Sequence, residues 1–123
     1  MQARARQVYV DPALIEYSVR LAGATRRPAD VGLGELARYI TFGASPRASI
    51  NLVLAARALA FVRGRDYTIP QDLTDLALDV LRHRIVLSYE ALSDDITADA
   101  VLTWVLGALP APEAPVRDRP VAR

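Results

Sequence analysis

The amino-acid sequence predicts an all-α fold, a small helical bundle of four main helices. Three observations point there. The chain has 123 residues, room for one domain. Its apolar residues recur at helical spacing in four separate stretches. Each stretch opens on helix-start chemistry: Asp11-Pro12, Ser45-Pro46, Thr68 to Gln71, and Thr97.

The first helix starts with Asp11 as N-cap and Pro12 at the first helical position. Leu14, Tyr17, Ser18 and Leu21 share one face, and Gly23 is placed to end the helix in a left-handed turn. Residues 24–44 break the pattern, because Arg27 precedes Pro28 and is biased away from helix. A short helix from Glu35 to Ile40 is expected there, with Leu36, Tyr39 and Ile40 inward. The second helix runs from Ser45-Pro46 to Gly64. Apolar residues fall on nearly every side of it, including Leu54 and Phe61, so it is expected to be central and wrapped by the others.

The third helix carries Ile69, Leu73, Leu76, Ala77, Val80 and Leu81 as an amphipathic stripe. Thr68 and Gln71 fit a capping box. Asp72, Asp75 and Asp79 form the opposite edge, read as solvated. Arg84 to Tyr89 alternates, and its pattern leaves strand or loose helical tail open. The fourth helix runs from a Thr97 cap to about Leu109, burying Val101, Leu102, Val105 and Leu109, with Trp104 in core or interface. Residues 1–9 read as a connector and 10–110 as the folded domain. Residues 111–123, rich in proline and alanine, read as a disordered tail.

Composition excludes much chemistry. There is no cysteine, so no thiol nucleophile or cysteine metal site exists. His83 is the only histidine. All fifteen basic residues are arginine, so a P-loop lysine and a Schiff base are excluded. No metal site is expected. The net charge of +1 speaks against nucleic acid as a partner. No apolar run approaches the roughly 18 residues of a membrane span, and no signal peptide is visible at the N-terminus. Arg82-His83-Arg84 reads as a basic cluster answering a helix C-terminal dipole.

Arg47 is the odd feature. At the second position of a helix, the dipole disfavours a cation by ~0.3–1 kcal/mol. The placement makes sense if an anion joins the arginine and the free helix N–H groups. The bland alternative is a surface arginine folded onto Glu35, Asp30 or another acid.

The run Gly43-Ala44-Ser45-Pro46-Arg47-Ala48 resembles the GASPRA signature of the C-terminal lid of MoxR-type AAA+ ATPases. Val10-Asp11-Pro12 with Tyr17 and Ala24-Thr25-Arg26 is similar to the first lid helix of that family. Gly64-Arg65-Asp66-Tyr67 leading to Pro70-Gln71-Asp72, and Val80 to Leu87, match further family runs. The resemblance covers residues 8–112, with a longer loop at Asp30 to Phe42 than many members have.

The resemblance implies a lid separated from an ATPase core that would carry the P-loop. It implies that Arg47 is a sensor 2 arginine, catalytic in the parent, and that Ser45, Pro46 and Arg47 face ATP, with magnesium held by the core. The chain alone would then hydrolyse no ATP. Implied partners are the ATPase core of the same polypeptide, neighbouring subunits of a hexameric ring, and a protein with a von Willebrand factor A domain. The implied role is chaperone-like remodelling in the cytoplasm. A stand-alone helical adaptor, binding protein through the third helix or Arg82–Arg84, is the alternative.

Overall fold

The computed structural model describes residues 8–112. The expected tail from residue 113 and the connector up to residue 7 lie outside the described residues. The domain is helical, as the sequence predicts. Helix α1 spans Pro12–Arg26, α2 Pro46–Val62, α3 Pro70–Leu81 and α5 Ala98–Ala108. These are the four main helices, and α1, α2 and α3 pack side by side, with α5 against α1 and α3.

Helix starts follow the local chemistry. Asp11 caps α1 through its side chain, accepting from the Ala13 N–H at 2.9 Å, and Pro12 follows. The Thr97 hydroxyl accepts from the Ala100 N–H at 3.1 Å to start α5. The start of α3 differs from the expected pair. Ile69 is the N-cap, and Asp72, not Gln71, reaches back to accept its N–H at 2.9 Å. Asp72 lies at the third helical position, where a carboxylate answers both the free N–H and the dipole. Thr68 is buried one residue earlier, its N–H donating to the Tyr9 carbonyl at 2.8 Å.

Gly23 does not end α1. The helix continues three residues further, to Arg26, because this last turn is buried and pinned by the segment that follows. The break comes at Arg27, which leaves the helical region before Pro28, at φ −135° and ψ 71°. Two 3₁₀ turns follow, Pro28–Val31 and Gly34–Tyr39; the second stands where a short helix is expected and buries Leu36 and Tyr39. Strand β1, Ile40–Phe42, pairs antiparallel with β2, Val86–Leu87, which resolves the alternating stretch as extended. A helix the sequence did not signal, α4 at Tyr89–Ser93, is capped by the Ser88 hydroxyl.

Two expectations fail on burial. Helix α2 is not wrapped on all sides. It presents Ala48, Leu52, Ala56 and Ala60 to α1 and α3 and leaves its other apolar face in solvent. Leu54 is 46% exposed and Ile50 58% exposed, while Phe61 is only partly buried. Small residues on the inner face let neighbouring helices approach closely, so the bulky ones are displaced outward. Asp72, in turn, is no solvated edge residue. It is fully buried and ion-paired to Arg63 at 3.1 Å and to Arg65. Asp75 also meets Arg63, and Gln71 and Arg63 together hold its carboxyl below the usual aspartate range. This clasp ties the end of α2 to the start of α3.

Arg82 joins α3 to α5. Its guanidinium donates to both oxygens of Asp99 in the first turn of α5 and to Asp79 behind it. The Arg82 hydrogen bond holds the Asp99 carboxyl below its ordinary value. A depressed carboxylate stabilises the fold above its unfolded pKa of about 3.9 and loses that effect as pH falls through the lower, folded pKa.

Two outcomes follow from this packing. Leu52→Ala should cost about 2–5 kcal/mol in chemical denaturation, whereas the exposed Leu54→Ala should stay within about 0.5 kcal/mol. Asp99→Asn should be less stable than the parent chain at neutral pH. Denaturation curves taken toward acid should converge as Asp99 itself becomes protonated.

Candidate functional site

The candidate site is the junction where the chain leaves β1 and enters α2. Gly43 lies against the last turn of α1. A Cβ there would stand 2.5 Å from the Thr25 carbonyl carbon and oxygen and from the Arg26 nitrogen. These are backbone atoms, so the contact admits only glycine. Next, the Ala44 N–H donates to the Thr25 hydroxyl at 2.8 Å, and that hydroxyl donates to the Ala22 carbonyl at 2.6 Å. The Arg26 guanidinium donates to the Ala44 carbonyl. Ala44 and Ala48 are buried on either side of the turn. Both backbone polar groups of Ala44 are thus satisfied by one helix end, which fixes the position of residues 43–45.

The backbone of Ser45 is extended, at φ −75° and ψ 167°, and Pro46 opens α2 as expected. No side chain caps the helix, since the Ser45 hydroxyl makes no cap bond. The Ser49 hydroxyl donates to the Pro46 carbonyl at 2.7 Å instead. Ser45, Pro46 and Arg47 are all exposed and sit together at this open N-terminus. Arg47 forms no ion pair among the described residues, and of the acids considered for it Asp30 pairs with Arg27 at 3.0 Å. The site therefore offers one unpaired guanidinium beside uncapped helix N–H groups, a donor set suited to a phosphate or another anion.

Thr25 and Arg26 are the site residues that sequence reasoning undervalued. They stand in the Ala24-Thr25-Arg26 run, yet their contact with Ala44 spans about eighteen residues, which no local pattern reveals. The Arg82-His83-Arg84 cluster is not part of the site, for Arg82 is committed to Asp99 and Asp79. Among the described residues no group of three or more metal-ligating side chains occurs, and no helix is long and apolar enough to cross a membrane.

Gly43→Ala should expose the cost of this junction. With the Thr25–Arg26 peptide in its way, the added methyl forces the junction away from α1, at the upper end of the about 1–3 kcal/mol typical of overpacking. A melting temperature unchanged by the substitution would contradict the contact.

Known proteins share this sequence and fold. Residues 36–104 match the AAA lid domain family. The chain is 47% identical over 113 residues to Chaperone MoxR1 of Mycobacterium tuberculosis, covering 92% of the chain and 30% of that protein. It is 38% identical to Protein MoxR of Paracoccus denitrificans over 112 residues, covering 86% of the chain and 33% of that protein. A Cytophaga hutchinsonii protein crystallised as a candidate ATPase superposes with a TM-score of 0.86 at 39% identity, over 90% of this chain and 34% of that one. The chain thus spans about a third of the length of these relatives. With a matching family model, MoxR relatives over most of its length and a matching fold, the chain belongs to the MoxR-type AAA+ family, as its lid domain.

Proposed function

We propose that this domain senses ATP held by the ATPase core of the same polypeptide, and that Arg47 is the sensor 2 arginine that does so. The observation that carries the reading is a cation without a counter-ion among the described residues at the uncapped start of α2. Arg47 stands where the helix dipole opposes it, and a phosphate turns that conflict into an attraction. Ser45 and Pro46 shape the approach, and Gly43 and Ala44 anchor it to α1. The guanidinium supplies charge and a planar pair of donors to the phosphate, and its contact strengthens as charge shifts during hydrolysis.

The domain alone offers one charge-assisted contact, worth roughly 1.5–3 kcal/mol. That falls short of the about 8 kcal/mol of micromolar binding, so nucleotide and magnesium are held by the core. Movement of the lid then couples hydrolysis to neighbouring subunits in a hexameric ring, in a cytoplasmic, chaperone-like remodeler working with a von Willebrand factor A domain protein. The adaptor alternative has less to stand on. The acids of α3 are engaged by Arg63 and Arg82, and Arg82 is held by Asp99.

In the full-length protein, Arg47→Ala should lower ATP turnover by about 10²–10³ and leave the melting temperature unchanged or slightly higher. Arg47→Lys should recover part of the loss, because lysine lacks the planar fork. Unchanged turnover in a destabilised protein would make Arg47 a structural residue and end this reading.

A further inference from the structure

The chain leaves α5 at a fixed point, and α5 also supplies one wall of a groove. The Tyr17 hydroxyl of α1 donates to the Leu109 carbonyl at 2.7 Å, which ties down the end of α5. Trp104 stands about a turn and a half back along α5. With Leu33, Glu35, Arg38 and Tyr39 it lines a groove of about 270 Å³. Trp104 is 45% exposed. Tyr39 is buried, its hydroxyl donating to Asp94 at 2.8 Å, so it serves as a rigid floor. The Arg38 guanidinium lies 4.7 Å from the centre of the Tyr39 ring and pairs with Glu90 at 3.6 Å. The cation of the groove is thus committed. Its anion is not: Glu35 is exposed and forms no ion pair among the described residues.

The sequence that follows α5 has the chemistry such a groove takes. Pro112-Glu113-Ala114-Pro115-Val116-Arg117 carries two prolines three residues apart and an arginine two residues beyond. It passes out of the described residues at 113. Segments of this pattern take the polyproline II form at low entropic cost and dock on aromatic-lined grooves. Low apolar content bars such a segment from a core of its own, but not from lying on a groove already built. We propose that residues 112–117 fold back onto this groove as an intramolecular strap, with the prolines against Trp104 and Leu33 and with Arg117 paired to Glu35. The reach is sufficient. Six residues of polyproline II span about 19 Å, whereas Trp104 and Leu109 are about 7.5 Å apart along the helix axis. The short tether holds the segment at an effective concentration of about a millimolar, so a contact of millimolar affinity is already about half occupied. The strap stands independently of the sensor reading of Arg47.

Trp104 is the only tryptophan of the chain, so its fluorescence reads the groove directly. Acrylamide quenching is measured on the whole 123-residue chain and on a chain ending at Pro112. Loss of residues 113–123 should raise the quenching constant by about 1.5-fold or more, with the emission shifted to the red. Arg117→Glu in the whole chain should do the same. Adding Glu35→Arg to it should restore the protection, because the charges are exchanged and not lost. A tail that only drifts near the groove gives no such restoration. Pro112→Gly with Pro115→Gly keeps the charges, removes the preformed conformation and should also lose protection. Equal quenching of the whole and shortened chains overturns the strap. Protection that disappears on dilution overturns it too, since the groove then holds the tail of a second copy. Protection that survives Arg117→Glu overturns the pairing with Glu35, and protection that survives both glycines overturns the polyproline mode. Circular dichroism accompanies every variant; where the shortened chain loses its helices, the charge exchange in the whole chain decides.

Discussion

The domain depends on one contact between backbones, the seating of Gly43-Ala44 on the last turn of α1. It sets where α2 begins. The Ala44 backbone is held at both its polar groups, its N–H by the Thr25 hydroxyl and its carbonyl by Arg26. Gly43 permits the approach because it has no Cβ. Pro46 then sets the first turn of α2 without asking for a backbone donor. The outcome is a helix start whose place is fixed while its terminal N–H groups and Arg47 stay open to solvent. Rigid support under an unsatisfied, charged end is what an anion-sensing group requires.

The far end of α2 is tied down by different chemistry. Asp72 is fully buried, yet three donors converge on it, the Ile69 N–H and the guanidinium groups of Arg63 and Arg65. One carboxylate therefore starts α3 and holds it to the loop leaving α2. Burying it is acceptable because its lone pairs are used; removing it would take the ion-pair partner from Arg65 and leave Arg63 with Asp75 alone. Between the two anchored ends, α2 packs through alanines and Leu52 on one side. Its other side keeps Ile50, Leu54 and Val62 in solvent. A helix held so firmly at both ends can leave an apolar face exposed without losing its place.

Much of this was legible in the sequence, because it is written in local physical chemistry. Asp11-Pro12, Ser45-Pro46 and Thr97 mark real helix starts, since a cap and a proline act on residues within one turn. The inward residues of α5 and the inward Leu36 and Tyr39 follow from spacing alone. The family signature pointed to Arg47, and the structure places that residue exposed at the start of α2.

What the sequence by itself determined was the set of helices, their starts and the residue types gathered at one junction. Only the tertiary structure decided which face of α2 is covered. Apolar character on every side is compatible with a wrapped helix or with one awaiting a partner surface, and hydrophobicity does not say which neighbour arrives. It also decided the fate of Asp72. An acid at the edge of a stripe is solvated unless distant arginines fold over it, and Arg63 and Arg65 come from beyond the helix. The extension of α1 past Gly23 has the same origin. Glycine allows a helix to stop, but the buried contacts of Thr25 and Arg26 with Ala44 hold another turn in place. Local preferences propose where elements begin; contacts between residues far apart in the chain settle where they end and what they bury.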